Sequence, residues 1–351
     1  MVYLISGFIG ITIILYLYLN RVYTQPILGL DKKHLPDSIA SLEKILIGGK
    51  EQSICIRGNN INNPILLFVH GGPGDAAMPL MIGINPDLEK DFIVVNWDQR
   101  GAGKSFYPFK ESDSLDYSTF VSDANELTEI LLDRFNKKKI FIVGHSWGSV
   151  IATFAVQQHP ERYYAYIGIG QVVNMKENER ISYNYTLKEA ANRQDKQAIE
   201  VLTRNGNDYY DQSDWLSRLL TQRKYLLKYG GAVYQNTSYR IFEKYFLSSP
   251  EYSIMDVINR VRGSKQSLTY LWPKLMGVDL TKSAIEFKVP VYFLEGVHDY
   301  NAPTNLVEEY FQMINAPQKE IFWFDQSAHF PQWEEPQKFH KVLREILDRL
   351  K

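Results

Sequence analysis

A chain of 351 residues can bury a large core, and a net charge of -1 leaves no electrostatic footprint for nucleic acid or another polyanion. The single cysteine, Cys55, excludes an intramolecular disulfide and a multi-cysteine metal site. Aromatic residues make up 13% of the chain, with 23 tyrosines among them.

The first feature in chain order is an uncharged run, residues 2–19. As a helix rising ~1.5 Å per residue it reaches about 27 Å, close to the ~30 Å hydrocarbon thickness of a bilayer. Tyr16, Tyr18 and Tyr23 fall where an interfacial aromatic belt belongs, and Arg21 ends the run. No lysine or arginine precedes it and no small-residue cleavage pattern follows, so an anchor is expected rather than a cleaved signal. Residues 1–22 therefore read as a transmembrane anchor, an N-terminal apolar helix, and residues 23–40 as a linker containing Pro26, Gly29 and Pro36. Arg21, Lys32 and Lys33 all follow the span, which points to a single-pass protein with a cytoplasmic catalytic domain.

Residues 41–47 and 51–57 read as a hairpin turning at Gly48-Gly49-Lys50. Residues 65–69 are a continuous apolar strand leading into His70-Gly71-Gly72-Pro73-Gly74. A strand at 92–97 runs into Asp98-Gln99-Arg100-Gly101-Ala102-Gly103-Lys104-Ser105, and 117–135 is a long amphipathic helix. Residues 140–143 form a strand, 150–158 a helix and 166–170 another strand. Residues 171–287 are helical, polar and aromatic, without a convincing strand. Strands resume at 289–294 and 320–324, each followed by a helix, at 305–314 and 337–350. This alternation predicts a mainly parallel sheet with helices on both faces. The core is split into 41–170 and 288–351, and 171–287 is a helical cap inserted after the sixth strand. Such a cap covers the carboxyl ends of the strands, where open α/β sheets bind ligands.

Gly144-His145-Ser146-Trp147-Gly148 stands between a strand and a helix. That is the context of a nucleophile elbow, in which a turn too tight for side chains at the flanking glycines presents Ser146 to a cleft. A serine nucleophile needs a base, and the base an orienting acid, here in the chain order serine, acid, histidine. His329, just past the last strand, fits the base, whereas His340 lies in the closing helix. Asp299, on the loop after the strand at 289–294, is the preferred acid, with Asp325 as competitor. Two donors must meet the oxyanion. The amide of Trp147 supplies one, and the glycine loop the other, through Gly72 with Gly71 as the alternative register. No motif calls for a metal or an organic cofactor.

These residues carry a resemblance. His70 to Gly74, Asp98 to Ser105, Gly144 to Gly148, Asp299 in its loop and Ala328-His329-Phe330-Pro331 together resemble the α/β-hydrolases of the prolyl aminopeptidase (proline iminopeptidase) type. The resemblance implies an α/β-hydrolase fold and a serine aminopeptidase that removes an N-terminal residue, often proline, from short peptides. It implies that Asp98 and Arg100 shape their loop, and that cap glutamates hold the substrate ammonium, here Glu179 first and then Glu177. The alternative is a membrane-associated carboxylesterase or amidase acting on lipid-like or small acyl substrates.

Overall fold

Every residue of β3 (Ile65–Val69), β4 (Ile93–Asp98), β5 (Ile140–His145) and β7 (Val291–Gly296) is buried. A strand with no solvated face must be covered on both sides, and burial of each large apolar side chain is worth roughly 1.5–3 kcal/mol. These strands join β1 (Ile39–Ile47), β2 (Lys50–Gly58), β6 (Tyr163–Ile169) and β8 (Lys319–Phe324) in one sheet of order β1-β2-β4-β3-β5-β6-β7-β8. Only the pairings of β2 are antiparallel; from β4 to β8 the strands are parallel. The computed structural model describes residues 22–29 and 31–350. The expected anchor run at 2–19 lies outside the described residues. No described helix is long and apolar enough to cross a membrane.

Side chains alternate across the sheet. Leu67 and Val69 face one apolar cluster with α2 (Tyr117–Phe135), α3 (Trp147–Gln158) and α10 (Thr304–Met313). Leu66 and Phe68 face the other, with α1 (Met78–Ile84) and α12 (Pro336–Leu350). The periodicity read for α2 holds, since Phe120, Ala124, Leu127 and Leu131 are all buried. Asp116 caps its start by accepting the Ser118 and Thr119 amides at 2.9 and 3.3 Å.

A helical segment lies between β6 and β7. It consists of α4 (Met175–Asn192), α5 (Lys196–Asn205), α6 (Trp215–Lys228), α7 (Arg240–Ser248), α8 (Ile254–Leu275) and the short α9 (Leu280–Ser283). Its two ends meet: Met175 N–H donates to Val278 O at 3.1 Å and Leu280 N–H to Val173 O at 2.8 Å. Several boundaries differ from expectation, among them β7, which starts at Val291 rather than 289, and α3, which starts at Trp147 rather than 150. β6 opens at Tyr163, buried against the sheet, and β1 at Ile39, which pairs with Gly58. The described part of the linker is fixed in place. Buried Arg57 donates to Thr24 Oγ1 and Gln25 O, each at 2.6 Å, and Tyr23 N–H donates to Pro250 O at 3.0 Å.

Candidate active site

One residue separates β5 from α3. Ser146 makes that turn with φ 54° and ψ -119°, a conformation that costs a non-glycine residue of order 1–3 kcal/mol. Backbone bonds hold it there: its N–H donates to Ile169 O at 2.9 Å, and its carbonyl accepts the Ser149 hydroxyl at 2.6 Å. The flanking glycines are obligatory. A Cβ on Gly144 would stand 2.4 Å from Gly148 O, and one on Gly148 would stand 2.1 Å from Val69 O.

His329 and Asp299 meet. His329 Nδ1 lies 2.7 Å from Asp299 Oδ2, and both side chains are almost fully buried. Nδ1–H donates to the carboxylate, so Nε2 is the basic nitrogen. The other carboxylate oxygen accepts the amides of Asn301 and Ala302 at 2.7 and 2.8 Å, which fixes the acid. The competitors stand elsewhere: Asp325 is exposed beside Lys338, and His340 pairs with Asp91 at 2.8 Å.

Both neighbours of Ser146 reach toward the histidine. Ile169, which accepts the Ser146 amide, is followed by Gly170 (φ 52°), where a Cβ would stand 2.8 Å from His329 Nδ1. His145 Nε2 donates to the His329 carbonyl at 2.9 Å, and the two rings lie 4.9 Å apart. Since a carbonyl only accepts, His145 is protonated on Nε2. Burial, reinforced by neighbouring His329, holds its pKa well below the usual histidine value and keeps it neutral. The backbone around His329 is clamped from α11 (Pro331–Glu334): the Glu334 carboxylate accepts the amides of Ala328, Phe330 and Tyr234 at 3.0, 3.1 and 2.6 Å. Burial pushes Glu334 up to about 7, against the lowering effect of those three bonds.

Gly72, Ser146 and Trp147 line one chamber. Gly72 has φ 125°, and a Cβ there would stand 2.5 Å from Gly74 N. As the first residue of α3, Trp147 has an amide without an intrahelical acceptor. A single side chain ties the glycine loop to Trp147. Gln99 donates through Nε2 to His70 O at 2.8 Å, and its Oε1 accepts the Trp147 indole N–H at 2.9 Å. The Gln99 amide also bonds His70 Nε2 at 3.1 Å. The neighbouring loop residues bond within the fold: Asp98 accepts the Lys104 amide at 2.9 Å and the Tyr252 hydroxyl, and Arg100 pairs with Asp123.

The cap glutamates part company. Residues two apart on a helix point to nearly opposite sides. Glu179 lines the chamber of Ser146, whereas Glu177 lines an outer groove and pairs with Arg180 at 2.7 Å. Glu179 already has partners. It binds the Arg223 guanidinium from α6, accepts the Tyr210 hydroxyl at 2.8 Å and accepts the Asn178 amide at 3.2 Å. Although burial opposes its charge, Arg223 is held firmly cationic by Glu179. Apolar side chains complete the chamber, among them Met175, Leu219, Leu268, Trp272 and Leu275.

The sequence reading did not reach Gln99, His145, Glu334 and Arg223 as parts of this site. Buried Glu295 also escaped it: one carboxylate oxygen accepts the Gln171 amide at 3.1 Å and the other has no partner. Burial, with the nearby Asp299 charge, holds its pKa well above the usual carboxylate value. Among the described residues no group of acids, histidines and cysteine is arranged to hold a metal.

A mostly parallel eight-stranded sheet with this turn after β5 and a helical insertion after β6 defines the class. The chain belongs to the alpha/beta hydrolase fold family, whose profile matches residues 64–336. It is 32% identical to the probable aminopeptidase YbaC of Bacillus subtilis over 87% of this chain and 96% of that one. It is 26% identical to the proline iminopeptidase of Saccharolobus solfataricus over 84% of this chain and 87% of that protein. In fold it is similar to the proline iminopeptidase of Mycobacterium smegmatis, with a TM-score of 0.65 at 16% identity over 88% of this chain and 98% of that one. These likenesses make it a hydrolase related to the proline iminopeptidases.

Proposed function

We propose that the chain is a serine hydrolase working through an acyl-enzyme, and that it acts as an aminopeptidase on short peptides. The observation that carries this is the His329–Asp299 bond of 2.7 Å, with the His329 ring 4.9 Å from that of His145, the residue that precedes Ser146 in its positive-φ turn. In this reading His329 Nε2 takes the proton of Ser146 Oγ as that oxygen attacks the scissile carbonyl. Asp299 stabilises the imidazolium, and the amides of Gly72 and Trp147 hold the oxyanion. The proton then passes to the leaving amine and the C–N bond breaks. Water, deprotonated by the same histidine, releases the acyl group and restores Ser146. Glu179 receives the substrate ammonium, and Glu177 stands outside the chamber.

One observation favours a second reading. Arg223 already compensates Glu179, and the rest of the chamber is largely apolar. A neutral acyl ester or amide fits such a chamber without competing for the carboxylate. A fluorogenic panel separates the two readings. Prolyl and alanyl amides turned over only with a free amine support the aminopeptidase; equal turnover after acetylation, or a preference for acyl esters, supports the esterase. Full activity in Ser146→Ala overturns both.

We further propose that residues 2–19 anchor the enzyme as a single span, with the catalytic domain on the cytoplasmic side, as the basic residues after the span suggest. Protection of the catalytic domain from protease added outside intact cells is the expected result.

A further inference from the structure

Helix α8 carries one face from the point where the described chain begins to the mouth of the chamber. Ile254, Ile258, Val261, Lys265 and Leu268 recur at the spacing of a single helical stripe, about 21 Å long at ~1.5 Å per residue. At its start, Ile254 and Ile258 line a groove with Tyr23, Phe246, Leu247 and Pro250. At its end, Val261 and Leu268 line a second groove with Leu216 and Leu220. That second groove shares Asp75, Leu220, Ser264 and Leu268 with the chamber of Ser146, so it forms the chamber's mouth.

This face is mostly apolar and is exposed among the described residues. Leu247 is 79% exposed, Val261 64%, Ile254 54% and Leu220 52%. Scattered exposed apolar residues are ordinary, but a contiguous stripe of them marks an interaction surface. Exposed Lys244, Arg262 and Lys265 lie on the same two helices, α7 and α8, a composition suited to anionic headgroups.

The sequence says what covers it. Tyr23 is tied to Pro250 at the edge of the stripe, and the uncharged run ends at Leu19. Three residue steps separate Leu19 from Val22, a reach of at most about 11 Å. If the run spans a bilayer, this face is held against the same bilayer.

We propose that the stripe of α8, with Leu247 and Leu220, docks on the lipid surface, so that the mouth of the chamber opens toward the bilayer. This rests on the anchor reading above. Its consequence is that substrates dissolved in the membrane pass into the chamber without crossing bulk water. The occupant is a lipid surface of mixed zwitterionic and anionic headgroups.

The test uses the full chain reconstituted in phosphatidylcholine–phosphatidylglycerol vesicles that contain a quencher-bearing lipid. Cys55 is buried, so a dye reacts only with an introduced cysteine. Val261→Cys places the dye on the stripe. Lys137→Cys places it before β5, at the amino edge of the parallel strands and away from the chamber. The expected result is lipid quenching several-fold stronger at 261 than at 137, with Ile254→Cys behaving like 261. Equal quenching at 261 and 137 in vesicles that carry the protein overturns the docking while leaving the anchor intact. Energy transfer between dyes at 261 without lipid quenching assigns the stripe to a second copy and also overturns it. If the protein does not float with the vesicles, anchor and docking fall together.

Discussion

Below the chamber, Ser146 sits on a one-residue turn and Asp299 and His329 on loops past β7 and β8; above it, Glu179 and Arg223 sit on helices. The floor is fixed by backbone. Ser146, Asp299 and His329 are each held by main-chain bonds, as to Ile169, Asn301 and the clamped loop before Glu334. The roof is fixed by side chains meeting side chains, of which Glu179, Arg223 and Tyr210 are the centre. Backbone geometry tolerates no substitution at Gly144 or Gly148, whereas a side-chain pair can be exchanged without moving the chain. The floor is therefore suited to chemistry that stays constant, and the roof to selection that varies.

The largest expected effect falls on the floor alone. Asp299→Asn preserves shape but lets the wrong histidine nitrogen carry the proton, and kcat should fall on the order of 10⁴-fold. Steady-state kinetics on two substrates checks this. Their relative kcat/KM should stay constant, and a change in that ratio would break the division between floor and roof.

A roof substitution should do the reverse. Arg223→Gln strips Glu179 of its cation, and leaving a buried charge unpaired costs about 3–5 kcal/mol. Thermal unfolding should show that loss, and adding Glu179→Gln should restore part of it. Labelling of Ser146 by a fluorophosphonate should change little. Preference for a free amine over its acetylated analogue should rise roughly tenfold, which is about 1.4 kcal/mol.

The smallest effect concerns the clamp. The carboxyl of Glu334 is raised by burial to about 7 from its usual 4.5, so the folded chain binds that proton more readily than the unfolded one. Its contribution to stability is complete below about 4.5 and is lost as the pH rises through about 7. Wild type should therefore melt higher at pH 5 than at pH 7.5, relative to Glu334→Gln, by about 2–4 °C. Calorimetry of the two proteins decides this.

Much of the floor was legible because its constraints are local. Gly144 and Gly148 flank Ser146 in five residues, and chain order together with placement on loops after strands pointed to Asp299 and His329. Helix α2 announced itself by its period, with boundaries that match the reading. Gln99 was not legible, because its role joins His70 to Trp147 across 29 and 48 residues. Arg223 was hidden differently. Helix α6 also carries Arg218, Lys224 and Lys228, and nothing in that run marks which cation turns inward. Glu177 and Glu179 face different spaces because two positions turn the helix by about 200°.

The neck of the cap, where Met175 meets Val278 and Leu280 meets Val173, has one more consequence. Both ends of the insertion leave and rejoin the sheet at neighbouring points, so its interior can lengthen, shrink or be replaced without disturbing the register of β6 and β7. A lineage could retain its reactive machinery intact and acquire a different diet by grafting between two hydrogen-bonded residues.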